Sequence, residues 1–404
     1  MKVAIVAGPD AGHAFPAFAL AERFAAQGIS AVVYTGLQWY DVAAARGVEV
    51  AELPGLQATV NDDDEDAGAK LSVRAARMAV HLAPVLATRG VDLVISDVIT
   101  VAGLWAAELA GIPAIELVPH PLYLPSRGLP PIGTGMAPGV GVRGRLRDGL
   151  LRAASNVSVR TGDRQRARAR TSIGLSAVPA APVPRMVATL PELEVPRPDW
   201  PESAHVIGPL LWEPTTEVFT PPPGDGPLIM VAPSTAVIGA ADMVSVVLDA
   251  LRTVDVEPVV RVVISSLTPP SDDVLDGYGR PVVAGLGRQD LLLAEADLVI
   301  CGGGHGMLSK ALLAGVPVIT VPGGGDQWEL ANRVARQGSG VLVRPLTVVA
   351  VADAVHRVLG EPSYARAAAR VAASIADVTD PVRIARRHVR ADPRYSRDGE
   401  QGDM

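Results

Sequence analysis

The strongest chemical signal in the sequence is the stretch at 302–306, which has four glycines in five positions. It follows an apolar run that ends at Cys301 and precedes a segment of helical spacing over 307–314. Glycines placed there expose successive backbone N–H groups to an anion, and the start of the following helix adds a partial positive charge. The stretch therefore predicts a phosphate or pyrophosphate site; a tight strand-to-helix turn is the alternative. This glycine loop (302–306) consists of Gly302, Gly303, Gly304, His305 and Gly306.

A histidine and an aspartate follow two predicted strands of the N-terminal half. His13 comes after a glycine-containing loop, and Asp97 follows an apolar run over 91–96. A histidine can act as a general base near neutral pH, and a carboxylate can orient its ring and stabilise the protonated form. The alternatives are a hydrogen-bonded surface histidine and an aspartate that caps a helix. We expect His13 to lie just ahead of a helix over 16–27.

A carboxylate and an amide, Asp326 and Gln327, come directly after a second glycine-rich loop at 322–325. Sugar hydroxyl groups both donate and accept hydrogen bonds, so this pair suits a sugar. A capping aspartate and a solvated glutamine are the alternatives. The acidic run at 61–66 superficially offers the paired aspartates of a metal-dependent sugar transferase, but no strand is predicted beside it. We interpret it as a solvated loop and predict no metal site.

The elements that must position these residues alternate between strand and helix in both halves of the chain. Strand-like runs occur at 2–8, 30–35 and 91–96, and again at 228–232, 259–264, 281–283 and 296–300. A proline-rich connector at 221–227 separates the two series. The sequence therefore predicts an α/β protein with two Rossmann-like, doubly wound parallel-sheet domains facing across a cleft.

Composition narrows the class of protein. The 404 residues carry a formal net charge of -7, which argues against nucleic acid as a partner. Cys301 is the only cysteine, so we expect a reducing compartment, the cytoplasm, and no internal disulfide. No apolar run reaches the roughly 18 residues that a membrane span needs, and the apolar N-terminus is too short for a secretory signal.

One segment departs from this acidic background. Residues 143–170 are strongly basic, and Leu146, Leu150 and Leu151 recur there at helical spacing. An amphipathic surface helix is predicted, and two interpretations of it stay open: a helix laced with salt bridges, or one that makes peripheral membrane contact.

Taken together, the motifs resemble the family 1 nucleotide-sugar glycosyltransferases of the glycosyltransferase B fold, especially bacterial enzymes that glycosylate natural products. The resemblance spans nearly the whole chain and is most specific from the glycine loop through 314–317 and 322–327 to 331–333. It implies that His13 deprotonates the acceptor with support from Asp97. It also implies a donor site, whose residues are Ser234, Thr235, Leu286, Asp326, Gln327 and the five residues of the glycine loop.

The resemblance further implies an inverting, metal-independent transfer of a hexose from a UDP or TDP sugar, with no other cofactor. The acceptor is a small-molecule or lipid-like compound, and His120 and Tyr123 are expected beside it. Residues 1–208 are expected to form the acceptor domain and 209–377 the donor domain. A C-terminal helix at about 378–392 is expected to pack back on the acceptor domain. Either a monomer or a homodimer is compatible with this interpretation.

Three departures from the family pattern define the alternatives. The family commonly has a histidine where this chain has Gly302 and a small hydroxyl residue where it has Met307, and a stacking tryptophan is missing near Leu286. These changes indicate an altered donor, a role for His305 or weakened activity. A catalytically weak relative that only binds a nucleotide sugar is therefore the main alternative. A nucleotide-sugar 2-epimerase is a further one, but it needs more carboxylates in the cleft.

Overall fold

The computed structural model describes residues 1–59, 66–234 and 242–391. These form two sheets, one of seven strands and one of six, and every pair of neighbouring strands is parallel. The predicted α/β fold with two doubly wound parallel sheets is confirmed. Thr235, positions 61–65 of the acidic run and position 392 of the predicted C-terminal helix lie outside the described residues.

Seven strands form the first sheet: β1 (Lys2–Val6), β2 (Ser30–Thr35), β3 (Glu49–Glu52), β4 (Leu93–Asp97), β5 (Ala114–Val118), β6 (Arg185–Val187) and β7 (Ala204–Val206). Their spatial order is β3-β2-β1-β4-β5-β6-β7. The helices of this part are α1 (Ala11–Ala25), α2 (Tyr40–Ala45), α3 (Ala67–Thr88), α4 (Ala102–Ala110) and α5 (Gly141–Ser172). Single 3-10 turns occur at Leu37–Trp39 and Pro191–Leu193.

Six strands form the second sheet: β8 (Leu228–Ala232), β9 (Arg261–Ser265), β10 (Val282–Gly285), β11 (Leu298–Cys301), β12 (Val318–Thr320) and β13 (Gly340–Leu342). Their order is β10-β9-β8-β11-β12-β13. The helices are α6 (Met243–Thr253), α7 (Asp272–Tyr278), α8 (Gln289–Leu293), α9 (His305–Leu313), α10 (Gly325–Gln337), α11 (Val348–Gly360), α12 (Ser363–Ala373) and α13 (Pro381–Arg390), with a 3-10 turn at Ser374–Asp377.

The central strands are buried on both faces, which explains their continuous apolar sequence. Along β1, Val3 and Ile5 pack into the core shared with α1, whereas Ala4 and Val6 pack into the core shared with α3 and α4. Helices cover both faces of such a sheet, so strand side chains alternate between two apolar layers. No helix among the described residues is long and apolar enough to cross a membrane.

The prediction that His13 lies ahead of its helix is wrong. Helix α1 begins at Ala11, so His13 lies in its first turn, and Pro16 lies inside the helix. The carbonyl of Asp10 accepts hydrogen bonds from the backbone N–H groups of His13 and Ala14, which closes the first turn before the proline. Proline lacks an N–H donor and favours the start of a helix, which is why the sequence placed the boundary five residues late.

The last helix of the chain packs against the first helix. Val382, Ala385 and Val389 of α13 belong to the same buried cluster as Phe18 and Phe24 of α1. Since β8 to β13 precede α13 in the chain, the polypeptide returns to the first sheet after completing the second.

We expect Val382→Asp to destabilise the protein far more than Arg383→Asp. Val382 is 3% exposed in the α1–α13 core, whereas its neighbour Arg383 is exposed. A carboxylate placed in an apolar core costs about 3 kcal/mol, which lowers the apparent unfolding temperature by about 5–10 °C. Thermal unfolding of both variants measures the difference. Equal unfolding temperatures would show that α13 contributes little to this core.

Candidate functional site

The predicted site residues lie at the carboxyl ends of strands in both sheets. Because all strands of a sheet are parallel, the loops that follow them leave from one edge. The residues at these two edges are His13 after β1, Asp97 at the end of β4, His120 after β5, Ser234 after β8, the glycine loop after β11 and Asp326 after β12.

His13 and Asp97 form a hydrogen-bonded pair. The Nδ1 atom of His13 lies 2.9 Å from Oδ1 of Asp97, whose side chain is completely buried. The imidazole itself keeps about a fifth of its surface exposed. With Nδ1 directed at the carboxylate, Nε2 is the nitrogen left for another partner, the arrangement of a general base and its orienting group.

The second oxygen of Asp97 is held from its own loop. Its Oδ2 atom accepts hydrogen bonds from the backbone N–H groups of Ile99 and Thr100 and from the Thr100 hydroxyl, at 3.2–3.3 Å. The N-cap residue of α4 is Val101, and no side chain caps that helix. Asp97 therefore fixes the turn before α4 instead of capping the helix, and its carboxylate is oriented before any substrate arrives.

The balance of burial and charge raises the pKa of His13. Burial lowers this pKa, but the hydrogen bond and negative charge of Asp97 outweigh it, with smaller contributions from Asp10 and Asp326. Asp326 belongs to the edge of the second sheet, and the two edges are in contact where Nε2 of His305 lies 2.9 Å from the Thr189 hydroxyl.

An aromatic pair lies beside this site in the first part of the chain. The rings of His120 and Tyr123 stack with centroids 4.4 Å apart, and Nδ1 of His120 lies 2.7 Å from the Pro121 carbonyl oxygen. Burial lowers the pKa of His120 and raises that of Tyr123. The buried Tyr123 hydroxyl has no hydrogen-bond partner among the described residues. The pair thus places a partly exposed aromatic surface beside the site.

The glycine loop depends on glycine at its first two positions. A Cβ atom at Gly302 would lie 2.8 Å from the Cβ of Ser234, and Gly303 has a φ of +81°. Side chains there would clash or strain the backbone. Gly304 is the N-cap residue of α9, and the first-turn N–H groups of a helix have no partner within it. The loop therefore fits the predicted anion site.

Gln327 joins two loops of the second sheet. Its Nε2 donates to the Ser234 hydroxyl at 2.8 Å, and its Oε1 accepts from the backbone N–H of Gly323 at 3.1 Å. The residue is 3% exposed, so the alternative of a solvated glutamine is wrong. An amide nitrogen carries two hydrogens, so among the described residues one N–H of Gln327 has no hydrogen-bond partner.

Asp326 is exposed in the first turn of α10. The N-cap residue of that helix is Gly324, and no side chain caps it, so the capping alternative does not hold for Asp326. A carboxylate at this position keeps both oxygens available to a ligand and is favoured by the helix dipole.

The structure contradicts a cationic role for the His305 side chain. Its Nε2 atom lies 2.9 Å from the Thr189 hydroxyl and 3.0 Å from that of Ser309. Burial lowers its pKa to about 3, so the ring is neutral at physiological pH. The side chain therefore bridges the two halves of the chain through Thr189. The sequence could not show this, because Thr189 is 116 residues away.

Leu286 lies half-buried in the loop between β10 and α8. Sequence reasoning missed the buried ion pair that anchors this loop: Nζ of Lys310 contacts Glu213 at 2.7 Å and donates to Oε1 of Gln289 at 2.8 Å. Burial lowers the pKa of Lys310, and the charge of Glu213 opposes that effect. The available signal was a lysine inside an otherwise apolar helix. Within the described ranges, no group of three or more His, Cys, Asp or Glu side chains could hold a metal ion.

Comparisons with known proteins agree with this arrangement. Residues 245–390 match the family model of the erythromycin biosynthesis protein CIII-like C-terminal domain. The chain is a glycosyltransferase, and it is similar to the enzymes of the family 1, natural-product type. A 4'-demethylrebeccamycin synthase from Lentzea aerocolonigenes is 28% identical over 297 residues, which cover 69% of each chain.

Two further relatives of the glycosyltransferase extend this result. A PGL/p-HBAD biosynthesis rhamnosyltransferase from Mycobacterium bovis is 33% identical over 195 residues, which cover 46% of this chain and 41% of that relative. The solved structure of the Streptomyces sp. SF2575 glycosyltransferase SsfS6, complexed with thymidine diphosphate, superimposes with a TM-score of 0.61. It is 19% identical and covers 96% of this chain and 98% of that structure, which shows the shared glycosyltransferase B fold.

We expect Asp97→Asn to lower the pKa of His13. Asp97 supplies the interactions that outweigh burial, so their loss leaves burial dominant. The raised pKa stabilises the fold fully below about pH 6.5, and this contribution is lost as pH rises through the folded-state pKa. An NMR titration of the His13 ring measures the change. Thr100→Val is the control, since it removes one hydrogen bond from Asp97 but keeps the charge. An unshifted midpoint in Asp97→Asn would assign the raised pKa to another group.

Proposed function

We propose that this glycosyltransferase moves a hexose from a nucleoside-diphosphate sugar to a hydroxyl group of a small, hydrophobic natural-product or lipid-like acceptor. The transfer inverts the anomeric configuration and needs neither a metal ion nor a further cofactor. The observation that carries the proposal is the His13–Asp97 pair, held at 2.9 Å where the charge of Asp326 from the opposite sheet reaches it. A base and a sugar-binding carboxylate are thus available to one reacting centre.

His13 acts as the general base in this proposal. Nε2 takes the proton of the acceptor hydroxyl as its oxygen attacks the anomeric carbon, and the bond from that carbon to the diphosphate oxygen breaks on the opposite side. Attack in line with the departing group inverts the configuration. The buried carboxylate of Asp97 stabilises the imidazolium that forms, in the same way as it raises the pKa of the free ring.

The donor lies against the second sheet. The N–H groups of the glycine loop and the N-terminus of α9 meet the negative charge that develops on the diphosphate. Ser234, held by Gln327, lies beside Gly302, and Asp326 with the remaining Gln327 N–H binds sugar hydroxyls. The nucleobase lies at the Leu286 loop. The thymidine diphosphate complex of SsfS6 supports a TDP or UDP donor, and the mycobacterial rhamnosyltransferase supports a hexose.

The acceptor lies against the first sheet, where the stacked rings of His120 and Tyr123 offer an apolar surface next to His13. Residues 1–208 then form the acceptor domain and residues 209–377 the donor domain. The helix at about 378–392 completes the acceptor domain through its packing on α1.

A nucleotide-sugar-binding protein with weak catalysis is the second candidate. Gly302 replaces the family's usual histidine, and the His305 imidazole is neutral and engaged with Thr189. The cationic assistance that this histidine gives to the diphosphate is therefore not supplied by His305.

We expect His13→Ala to abolish turnover while donor affinity is kept. Removal of a general base costs about 100- to 10,000-fold in rate, whereas the donor contacts lie on the other sheet. The measurements are release of nucleoside diphosphate from TDP- and UDP-sugars over a panel of phenolic acceptors, and calorimetric binding of TDP and UDP. His81→Ala, which changes an exposed histidine of α3, is the control. Unaltered turnover in His13→Ala would refute its role as base, and binding without turnover in the unchanged protein would favour the second candidate.

We further propose that this cytoplasmic enzyme makes peripheral contact with an anionic membrane through the N-terminal half of α5. Val142, Leu146 and Leu150 recur every four residues on one face of the helix, and each is more than 60% exposed. The whole helix carries nine arginines and two aspartates in a protein of net charge -7. Apolar side chains flanked by arginines bind the interface of an anionic bilayer.

Most of the arginines of α5 are exposed to solvent. Among the described residues, they form three ion pairs: Arg147 with Asp148, Arg166 with Asp163 and Arg170 with Glu108. The first half of the helix is also joined to the acceptor side, because Arg152 donates to the Leu129 carbonyl. A lipid-like acceptor held in the membrane would thus meet the domain that binds it.

We expect the protein to sediment with vesicles of equal phosphatidylglycerol and phosphatidylcholine at low salt, and not with pure phosphatidylcholine. Leu146→Glu/Leu150→Glu should weaken this binding about tenfold or more, because two buried apolar contacts are lost and two negative charges are added. The control is Val178→Glu/Val349→Glu, which adds the same charges at exposed valines elsewhere. Equal losses in both variants, or no binding to anionic vesicles, would overturn the proposed membrane contact.

A further inference from the structure

A short turn of the acceptor side is bound to the helix that carries the sugar-binding pair. This glycine turn (residues 133–135) lies in the loop between β5 and α5. Trp328 donates from its indole Nε1 to the Thr134 carbonyl at 3.0 Å. Glu329 accepts, at one carboxylate oxygen, the backbone N–H groups of Gly133 and Gly135 at 3.1 and 3.0 Å. Three consecutive backbone units are therefore recognised by two adjacent side chains of α10.

The side chains that bind the turn are themselves fixed. Glu329 is 5% exposed, and its other oxygen accepts from Nε of Arg333 at 3.1 Å. Arg333 in turn donates to the Leu193 carbonyl of the first half at 2.9 Å. The guanidinium of Arg344 lies 4.7 Å from the centre of the Trp328 ring. A buried carboxylate with both oxygens paired holds one orientation, so α10 offers the turn a rigid partner.

The fit is closest at Gly135. Its φ is +69°, and a Cβ atom there would lie 2.5 Å from Nε1 of Trp328 and 2.6 Å from Nδ2 of Asn332. Gly133 has a similar backbone, with a φ of +89°, but a Cβ atom there would have no neighbour within 4 Å. A side chain at either glycine would therefore strain the backbone, but only a side chain at Gly135 would also clash with α10.

The glycine turn joins the loop proposed to bind the acceptor to the helix proposed to bind the donor sugar. Asp326 and Gln327 lie in the first turn of α10, directly before the two side chains that bind the glycine turn. His120 and Tyr123 lie at the start of the same loop. Arg333, one turn after Glu329 in the same helix, has its guanidinium 5.7 Å from the centre of the Tyr123 ring. The loop is thus held to α10 at both of these points.

We propose that Trp328 and Glu329 are positioning residues that hold the acceptor loop against the donor helix, so that α10 sets the place of both substrates. The inference rests on the proposed function, because it takes this loop as the acceptor's and α10 as the donor's. Release of the turn leaves the donor contacts of Asp326 and Gln327 in place but lets the acceptor surface move. The expected signature is a loss of acceptor affinity without a loss of nucleotide affinity.

The kinetic test compares Gly135→Ala with Gly133→Ala in the full chain, with TDP-glucose as donor and 4-nitrophenol as acceptor probe. Gly135→Ala should raise the acceptor KM about tenfold, because the clash breaks two or more hydrogen bonds, and should change the Kd for TDP less than about twofold. Gly133→Ala should raise the acceptor KM several-fold less. Trp328→Phe, which keeps the ring but removes its N–H, should give a smaller rise of the same kind.

Equal effects of the two glycine variants on the acceptor KM, or a parallel rise in the Kd for TDP, would overturn the proposal. Hydrogen–deuterium exchange of the peptide over 131–137 separates this outcome from a failure of the proposed function. The amides of Gly133 and Gly135 should exchange slowly in the unchanged protein and about tenfold faster in Glu329→Ala, with or without any transferase activity. Fast exchange in the unchanged protein would show that α10 does not hold the turn.

Discussion

Parallel pairing of every strand is the constraint on which the rest of this structure depends. It sends the loops after β1, β4 and β5 to one edge of the first sheet, and those after β8, β11 and β12 to one edge of the second. Residues as far apart in sequence as Thr189 and His305 then meet because each follows a strand. The parallel strand direction thus determines which side chains come together at the site.

Buried polar contacts hold these loops in place once the sheets have formed. Asp97 is oriented by the amides of its own turn, Ser234 by Gln327, and the Leu286 loop by the Lys310–Glu213 pair. A buried polar group without a partner costs free energy, so any other arrangement of these loops, which would break the contacts, is less stable. A site built in this way is largely organised before a ligand binds, which reduces the cost of ordering it.

Much of the fold was predictable because its signals are local. Continuous apolar runs bounded by glycine indicated the central strands, and Leu228–Ala232 and Ser30–Thr35 agree with the structure at both ends. The short strands β12 and β13, of three residues each, were missed because so few residues give no distinct period. The glycine loop, His13, Asp97 and the Asp326–Gln327 pair were likewise singled out from type and position, whereas Ser234, Leu286, His120 and Tyr123 came from the family resemblance.

What the sequence could not show depends on contacts between distant residues. The sequence left a role for His305 open, and in the structure Thr189 and burial make its side chain a neutral bridge. Solvation was the alternative for Gln327, but its amide is buried and bonded to Ser234 and Gly323. The start of α1 was predicted too late because proline is typical of the first turn of a helix. In the structure the Asp10 carbonyl closes the first turn before Pro16. In each case a local preference was overridden by a partner that only the folded chain supplies.

The return of α13 to the first sheet has a consequence for recombining such enzymes. The chain enters the second sheet and later leaves it, so that unit is an insertion with two junctions and not a terminal half with one. A chimera that exchanges everything after the interdomain connector would also replace the helix that covers Phe18 and Phe24 with a foreign surface. A second crossover placed before α13 keeps that core native while the donor unit is exchanged.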